Sequence, residues 1–323
     1  MPFLKRQSNK YTNSGSRRSE KSKSHEFVRS TSKTDRSIMN IILDDNDIYQ
    51  GGQSVHGHVV IDLIADVPLS ECYIKLFCIG KVGWTDNPGL RDEGHSYNIQ
   101  RLLLEYFYRL DDGPISFFPA GRHEIPFEFL LPEEALPSSF QSRFGSISYT
   151  IEAKIGEHER KRDILVDMPI TRNLWLTVGG TSEKDFGVLS FASGNISMQA
   201  TLDKKGYFRG EDIRVNLMID NNSSANVKPR VTFYQTQIYM TGERHKTVEN
   251  SLTEAVDGDE VPAHSLVEDG SILVKIPVNI PLSIKSDLIT LKYFVHVTLD
   301  IPLATDIHVN LPVIVTSRAA LEN

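Results

Sequence analysis

The chain has 323 residues, of which 40% are hydrophobic and 24% charged, and a formal net charge of −7. That length suggests about two domains, each large enough to bury a core. No run approaches the 18 or so apolar residues of a membrane-spanning helix, and the acidic body argues against a nucleic-acid-binding core.

Residues 1–37 form a separate regime. They carry ten Lys/Arg against three acids, a charge of +7 that leaves about −14 for the rest. Nine Ser, three Thr and few apolar residues predict a disordered segment that cannot bury enough surface to offset chain entropy. Arg17, Arg18, Lys21 and Lys23 are its candidate contacts to an anionic membrane surface, at roughly 1 kcal/mol per residue. Its hydroxyls offer phosphorylation that would offset that charge. The competing readings are a solvated tail and a Ser-rich transit segment. Met1-Pro2-Phe3-Leu4 leads into polar sequence, so neither a secretory segment nor N-myristoylation is expected.

Order is expected from Ile38, and the pattern is β almost throughout. Residues 55–64 are β-branched and of strand length. Residues 72–79 alternate, with Cys72, Ile74, Leu76 and Cys78 on one face. The two cysteines then lie about 20 Å apart, beyond disulfide reach. They read as buried small hydrophobes, which fits a reducing cytoplasm. Residues 101–110 suit a strand or a short helix; the aromatics and Asp111-Asp112-Gly113-Pro114 favour the strand. Strands follow at 123–131, 146–155 and 161–170. A linker is expected over 171–194, where Gly179-Gly180 and Thr181-Ser182-Glu183-Lys184 interrupt the pattern. Beyond it the strands are 195–202, 211–220, 228–240, 243–249, 271–278, 287–299 and 306–315. The fold class is all-β: two tandem antiparallel, immunoglobulin-like sandwiches over 38–170 and 195–317, a short hinge, and a tail from 318.

The halves echo each other. Tyr49, Gly52, Val55 and Asp62 match Tyr207, Gly210, Ile213 and Asp220 at one offset. Gly121 and Pro132 match Gly270 and Pro281, and Ile147, Tyr149, Ile151, Ala153 match Leu291, Tyr293, Val295, Val297. Residues 163–170 match 306–313. The period is too long for a solenoid unit, so the chain reads as one domain twice. Tyr49, Gly52, Tyr207 and Gly210 read as fold determinants, the glycines supplying turn conformations and the rings capping the core.

Sites for chemistry are sparse. There is no phosphate-cradling glycine loop, nucleophile elbow, His-Glu-x-x-His or Cys-x-x-Cys. His56 and His58 share a strand face but are too few for a metal site. Asp44, Asp45, Asn46 and Asp47 resemble part of a calcium loop without its glycine and distal Glu. No enzyme activity, cofactor or metal is expected.

In order along 39–317, Ile42-Leu43-Asp44 with the Tyr49 segment, Pro119-Ala-Gly-Arg-His-Glu-Ile-Pro-Phe-Glu-Phe and Leu136-Pro-Ser-Ser-Phe resemble the arrestin superfamily, specifically its arrestin-domain-containing branch. Gly206-Tyr-Phe-Arg-Gly-Glu, Tyr234-Gln-Thr-Gln, Asp300-Ile-Pro and Asn310-Leu-Pro-Val-Ile-Val complete the resemblance. It implies two arrestin-type β-sandwiches and a non-enzymatic trafficking adaptor that binds membrane-protein cargo tails. Its implied setting is the cytoplasm, with peripheral recruitment to plasma membrane or endosomes. Family members recruit HECT-type ubiquitin ligases through Pro-Pro-x-Tyr motifs, and this sequence has no Pro-Pro pair, so an indirect link is expected, or binding to other arrestin-like proteins. Its second half has no cysteine, so the thioredoxin binding of some members is not expected. The alternative is a coat subunit like the arrestin-fold component of retromer.

Overall fold

The computed structural model describes residues 39–322 apart from 45–47, 87–93, 111–115, 135 and 187–192. The first half contains β1 (Met39–Leu43), β2 (Ile48–Gln50), β3 (Ser54–Leu63), β4 (Val67–Pro68), β5 (Tyr73–Asp86), β6 (His95–Arg109), β7 (Phe117–Phe118), β8 (Gly121–Leu130), β9 (Phe140–Gln141), β10 (Gly145–Ile155) and β11 (His158–Asp167). The second contains β12 (Val178–Asp185), β13 (Asn195–Leu202), β14 (Gly206–Phe208), β15 (Asp212–Asn221), β16 (Lys228–Thr241), β17 (Arg244–Ser251), β18 (Val256–Asp257), β19 (Ser265–Lys275), β20 (Ile284–Lys285), β21 (Ile289–Asp300) and β22 (Ile307–Thr316).

Each half is a two-layer sandwich. In the first, a β1-β3-β8 sheet packs on β2-β11-β10-β5-β6; in the second, β12-β13-β15-β19 packs on β14-β22-β21-β16-β17. Period-two alternation drives this. In β3, Val55, Val59, Ile61 and Leu63 are buried while His56 and His58 turn outward. Each such apolar side chain stabilises by roughly 1.5–3 kcal/mol when fully buried. Residues 95–109 are strand, not helix, and the β5–β6 ladder has a bulge between Cys78 and Ile79.

The repeat is carried down to single hydrogen bonds. Tyr49 in β2 and Tyr207 in β14 are both 3% exposed. Gly52 (φ 79°) and Gly210 (φ 86°) occupy the third position of equivalent turns, where positive φ suits glycine. Each turn is closed by a backbone bond, Gln53 N to Gln50 O (3.2 Å) and Glu211 N to Phe208 O (3.1 Å). The Gln53 and Glu211 side chains also accept from the amides of Gln50 (2.7 Å) and Phe208 (3.0 Å). Each turn carries the chain from one sheet to the other, since β2 and β14 lie in the larger sheets while β3 and β15 lie in the smaller.

This crossing explains a departure from the expected all-antiparallel pairing. β2 pairs with β11 and β14 with β22 in parallel, Tyr49 opposite Val166 and Tyr207 opposite Val315. Two expected correspondences also change. Tyr149 OH donates to Pro137 O (2.7 Å) and Tyr293 OH to Pro281 O (2.6 Å), so Pro137, not Pro132, matches Pro281. Tyr149 lies opposite Ile164 and Tyr293 opposite Val313, so residues 163–170 and 306–313 are out of structural register. Alternating apolar residues match at any even slip, which is why the sequence comparison settled on the wrong one.

The expected linker contains β12, a strand of the second sandwich paired with β13. Gly179-Gly180 is not an interruption there. A Cβ on Gly180 would stand 2.7 Å from Val309 Cγ1, so glycine lets β12 approach β22 closely. β19 begins at Ser265, ahead of the expected start at 271. Its first residues alternate weakly because Glu268, Asp269 and Gly270 carry no apolar signal.

The paired tyrosine bonds give a first expected result. Tyr149→Phe should cost about 1–1.5 kcal/mol, since it leaves a carbonyl without its partner, and Tyr293→Phe at least as much, since it also takes the acceptor from Gln235 Nε2. Urea unfolding measures both. A silent change at one position would show that the two bonds are not equivalent.

Candidate functional site

The residues flagged by sequence divide into three groups. Arg17, Arg18, Lys21 and Lys23, with the whole 1–37 segment, lie outside the described residues, as do Asp45, Asn46 and Asp47. Tyr49, Gly52, Tyr207 and Gly210 sit at the two sheet crossings. The Tyr207 hydroxyl is pushed up to about 12 by burial, then by Glu211 and Asp203, while Lys204 Nζ lies 4.8 Å from the ring centroid. His56 and His58 are surface histidines, 3.9 Å from Glu128 and 3.4 Å from Asp44 respectively. Among the described residues, no group of three or more His, Cys, Asp or Glu is arranged to hold a metal ion.

Cys72 and Cys78 are buried, and neither is in a disulfide. Burial pushes the Cys78 thiol up to about 12, against a smaller lowering by Tyr149. A thiol so protonated and covered is a poor nucleophile. Neither cysteine should therefore be carbamidomethylated by iodoacetamide at pH 8 in the folded protein, where both are buried, and both should be in urea. Mass spectrometry of the intact chain reads the difference.

Sequence reasoning missed the polar seam where the sandwiches meet. The core face of β16 reads Val231, Phe233, Gln235, Gln237, Tyr239, so apolar alternation breaks at two glutamines. Tyr293 OH accepts from Gln235 Nε2 (2.8 Å), and Gln235 Oε1 accepts from Gln237 Nε2 (2.6 Å). The Tyr239 hydroxyl lies between Gln237 Oε1 (2.5 Å) and Ser142 Oγ (2.8 Å) of the first sandwich. Ser142 Oγ in turn donates to Gly145 O (2.8 Å). The seam thus links the second sandwich's tyrosine bond to the loop before β10. Around it, Phe144 packs edge-on to Tyr239 at 5.8 Å, and Lys246 Nζ stands 4.8 Å over the Phe144 ring. Glycine at 80 and 145 permits the contact: a Cβ at Gly80 would meet Leu288 at 2.6 Å, and one at Gly145 would meet Ile289 at 2.9 Å. The signal in sequence was the pair of glutamines on a strand face otherwise apolar.

Two further links cross the junction. Arg209 pairs with Asp167 at 3.4 Å, and Thr316 Oγ1 donates to Ile170 O at 2.9 Å. Beside them opens a cleft of about 660 Å³. Its walls come from Glu133, Glu134 and 136–138 of the first sandwich, 168–173 of the connecting segment and 283–285 of the second. Ser139, next to the first wall, bonds the backbone of Val166 as Ser283 of the second wall bonds that of Val315. Glu133, Glu134, Arg172, Lys205 and Lys285 give the cleft both signs of charge. A cleft of this size fits a small ligand or a short extended peptide segment.

The chain matches two protein families: "Arrestin (or S-antigen), N-terminal domain" over residues 39–171 and "Arrestin (or S-antigen), C-terminal domain" over 192–319. It is 28% identical over 286 residues to arrestin domain-containing protein 4 of Mus musculus, covering 83% of this chain and 68% of that protein. The human protein of that name is 29% identical over the same length and coverage. Thioredoxin-interacting protein of Sus scrofa is 22% identical over 295 residues, covering 87% of this chain and 74% of that one.

Proposed function

The chain belongs to the arrestin family, and from that premise we propose that it is a non-enzymatic adaptor in membrane-protein traffic, in endocytosis and endosomal sorting. The cargo is the cytoplasmic tail of a membrane protein, and the place of capture is the cleft between the sandwiches. The observation that carries this reading is the shape of that cleft. It is walled by both domains and the segment connecting them, and it holds three cations and two carboxylates. Such a groove suits a short peptide, because its charged groups come from three separate segments and Arg172 is already paired with Glu134 at 3.2 Å. The adaptor works from the cytoplasm and is recruited to plasma membrane or endosomes by its cargo. The further partners are a HECT-type ubiquitin ligase, reached indirectly, and other arrestin-like proteins.

The test uses the full chain and immobilised cytoplasmic tails of membrane proteins. Arg172→Glu with Lys285→Glu reverses two exposed cleft cations. Binding of acidic tails should fall at least tenfold with the melting temperature unchanged. Unchanged binding would remove the cleft as the capture site.

A further inference from the structure

β6 is the outermost strand of the first sandwich's larger sheet, and among the described residues no strand lies along its outer edge. Such an edge presents unpaired N–H and C=O groups as a template for another strand. Proteins usually blunt such edges with Lys, Pro or a bulge. Between Leu104 and Arg109 the sequence is Leu-Glu-Tyr-Phe-Tyr-Arg, with none of these; the bulge lies before it. Phe107 is 53% and Tyr108 46% exposed.

Pairing with β5 fixes which way these side chains face. Leu104, Tyr106 and Tyr108 stand opposite the buried Cys78, Leu76 and Ile74. Glu105, Phe107 and Arg109 stand opposite Phe77, Lys75 and Tyr73 on the outer face. Lys75 Nζ lies 5.6 Å from the Phe107 ring centroid.

We propose that this edge binds a second copy of the chain, Glu105–Arg109 pairing antiparallel with itself about a two-fold axis at Phe107. Charge selects the partner and the register. With the axis at Phe107, Arg109 faces the partner's Glu105, and the same pair recurs on the other side of the axis. On the core face Tyr106 and Tyr108 meet their counterparts. Moving the axis by two residues sets Glu105 against the partner's Glu105, or Arg109 against the partner's Arg109, and like charges directly opposite are unfavourable. Moving it by one leaves each charge opposite an aromatic ring or outside the paired segment. A sequence that is self-complementary only about its own centre fits a second copy better than an unrelated peptide. The two larger sheets become one, running through both copies. A seam of five residues is small, so the dimer belongs to the weak, transient class.

The experiment uses the full chain. Sedimentation should show reversible self-association with a dissociation constant on the order of 10–100 μM, as expected for so small a seam. Glu105→Arg or Arg109→Glu alone should weaken it at least tenfold, and the double exchange should restore it. Phe107→Cys places both thiols at the axis, within disulfide reach, and should give a covalent dimer on mild oxidation. Glu105→Cys is the control, because its two copies would stand about 13 Å apart. Melting temperatures confirm that each variant is folded. A chain monomeric at several hundred micromolar, single reversals without effect, or equal cross-linking of the two cysteine variants would each overturn the proposal, and binding of an unrelated extended peptide in its place would do so as well.

Discussion

Replacing Tyr239 with alanine is expected to destabilise the protein by about 3–5 kcal/mol, the range for removing a buried aromatic side chain, and to split its unfolding into two steps. Tyr239 is fully buried, and besides Gln237 on its own strand it meets the other sandwich through the Phe144 ring and the Ser142 hydroxyl. Residues 37–323 form one compact unit, so the native protein is expected to unfold in a single transition. Loss of the ring opens a cavity at the junction and orphans Gln237 Oε1. Each sandwich retains its own core, so two transitions should then appear in calorimetry. Tyr239→Phe is the informative companion. It keeps the ring and loses only hydroxyl bonds, at about 1 kcal/mol, and should keep one transition. A single transition with less than 1 kcal/mol lost in the alanine variant would show that the junction is held elsewhere.

The second large effect lies on the outer face of the first sandwich. Glu152 is 5% exposed. It accepts from Lys75 (2.9 Å), Lys161 (2.9 Å) and Tyr73 (2.8 Å). The arrangement follows from register, because Lys161 and Lys75 are its cross-strand neighbours on β11 and β5. Burial alone would raise the carboxyl; the bonds from Lys75, Lys161 and Tyr73 outweigh it and hold it below its ordinary value. Glu152→Ala leaves Lys75, itself 18% exposed, without a counter-charge. The expected cost near pH 7 is on the order of 3 kcal/mol.

The pH dependence follows from the depressed native value. The Glu152 contribution is full above the unfolded carboxyl's range, near 4.5. It is lost as pH falls through the lower native value, because the unfolded chain takes up the proton first. Wild type and Glu152→Ala should therefore differ most at pH 7 and converge toward pH 3. Urea unfolding at the two pH values measures this. A gap that stays constant or widens in acid would contradict it.

Much of the fold was legible because period-two burial is written along each strand. β13 and β15 were readable almost to the residue, since Ile196, Met198, Ala200 and Leu202 alternate without a break, as do Ile213, Val215, Leu217 and Ile219. The repeat was legible through Tyr49, Gly52, Tyr207 and Gly210 because a turn with positive φ leaves a glycine behind. What Gln53 and Glu211 do in those turns was not legible, since an acceptor bonding its own backbone has no periodic signature. β12 was read as linker because glycines placed for close packing and glycines placed for turns look alike in a sequence. The junction was the hardest part to read. Gln235 and Gln237 stand on a strand face otherwise apolar, and their partners are Tyr293 and Tyr239, whose hydroxyl reaches Ser142 nearly a hundred residues earlier in the chain. Contacts that distant leave no local trace, so the candidate site was less visible than the domains that enclose it.

The adaptor reading stands or falls on the company the chain keeps in a cell. Proximity labelling of the full chain, beside a version starting at Ile38, should enrich integral membrane proteins and endocytic sorting components. The version without the basic segment should label the same cargo, with less of it at the membrane. A label spread through soluble proteins, with no membrane protein enriched by either version, would contradict the account.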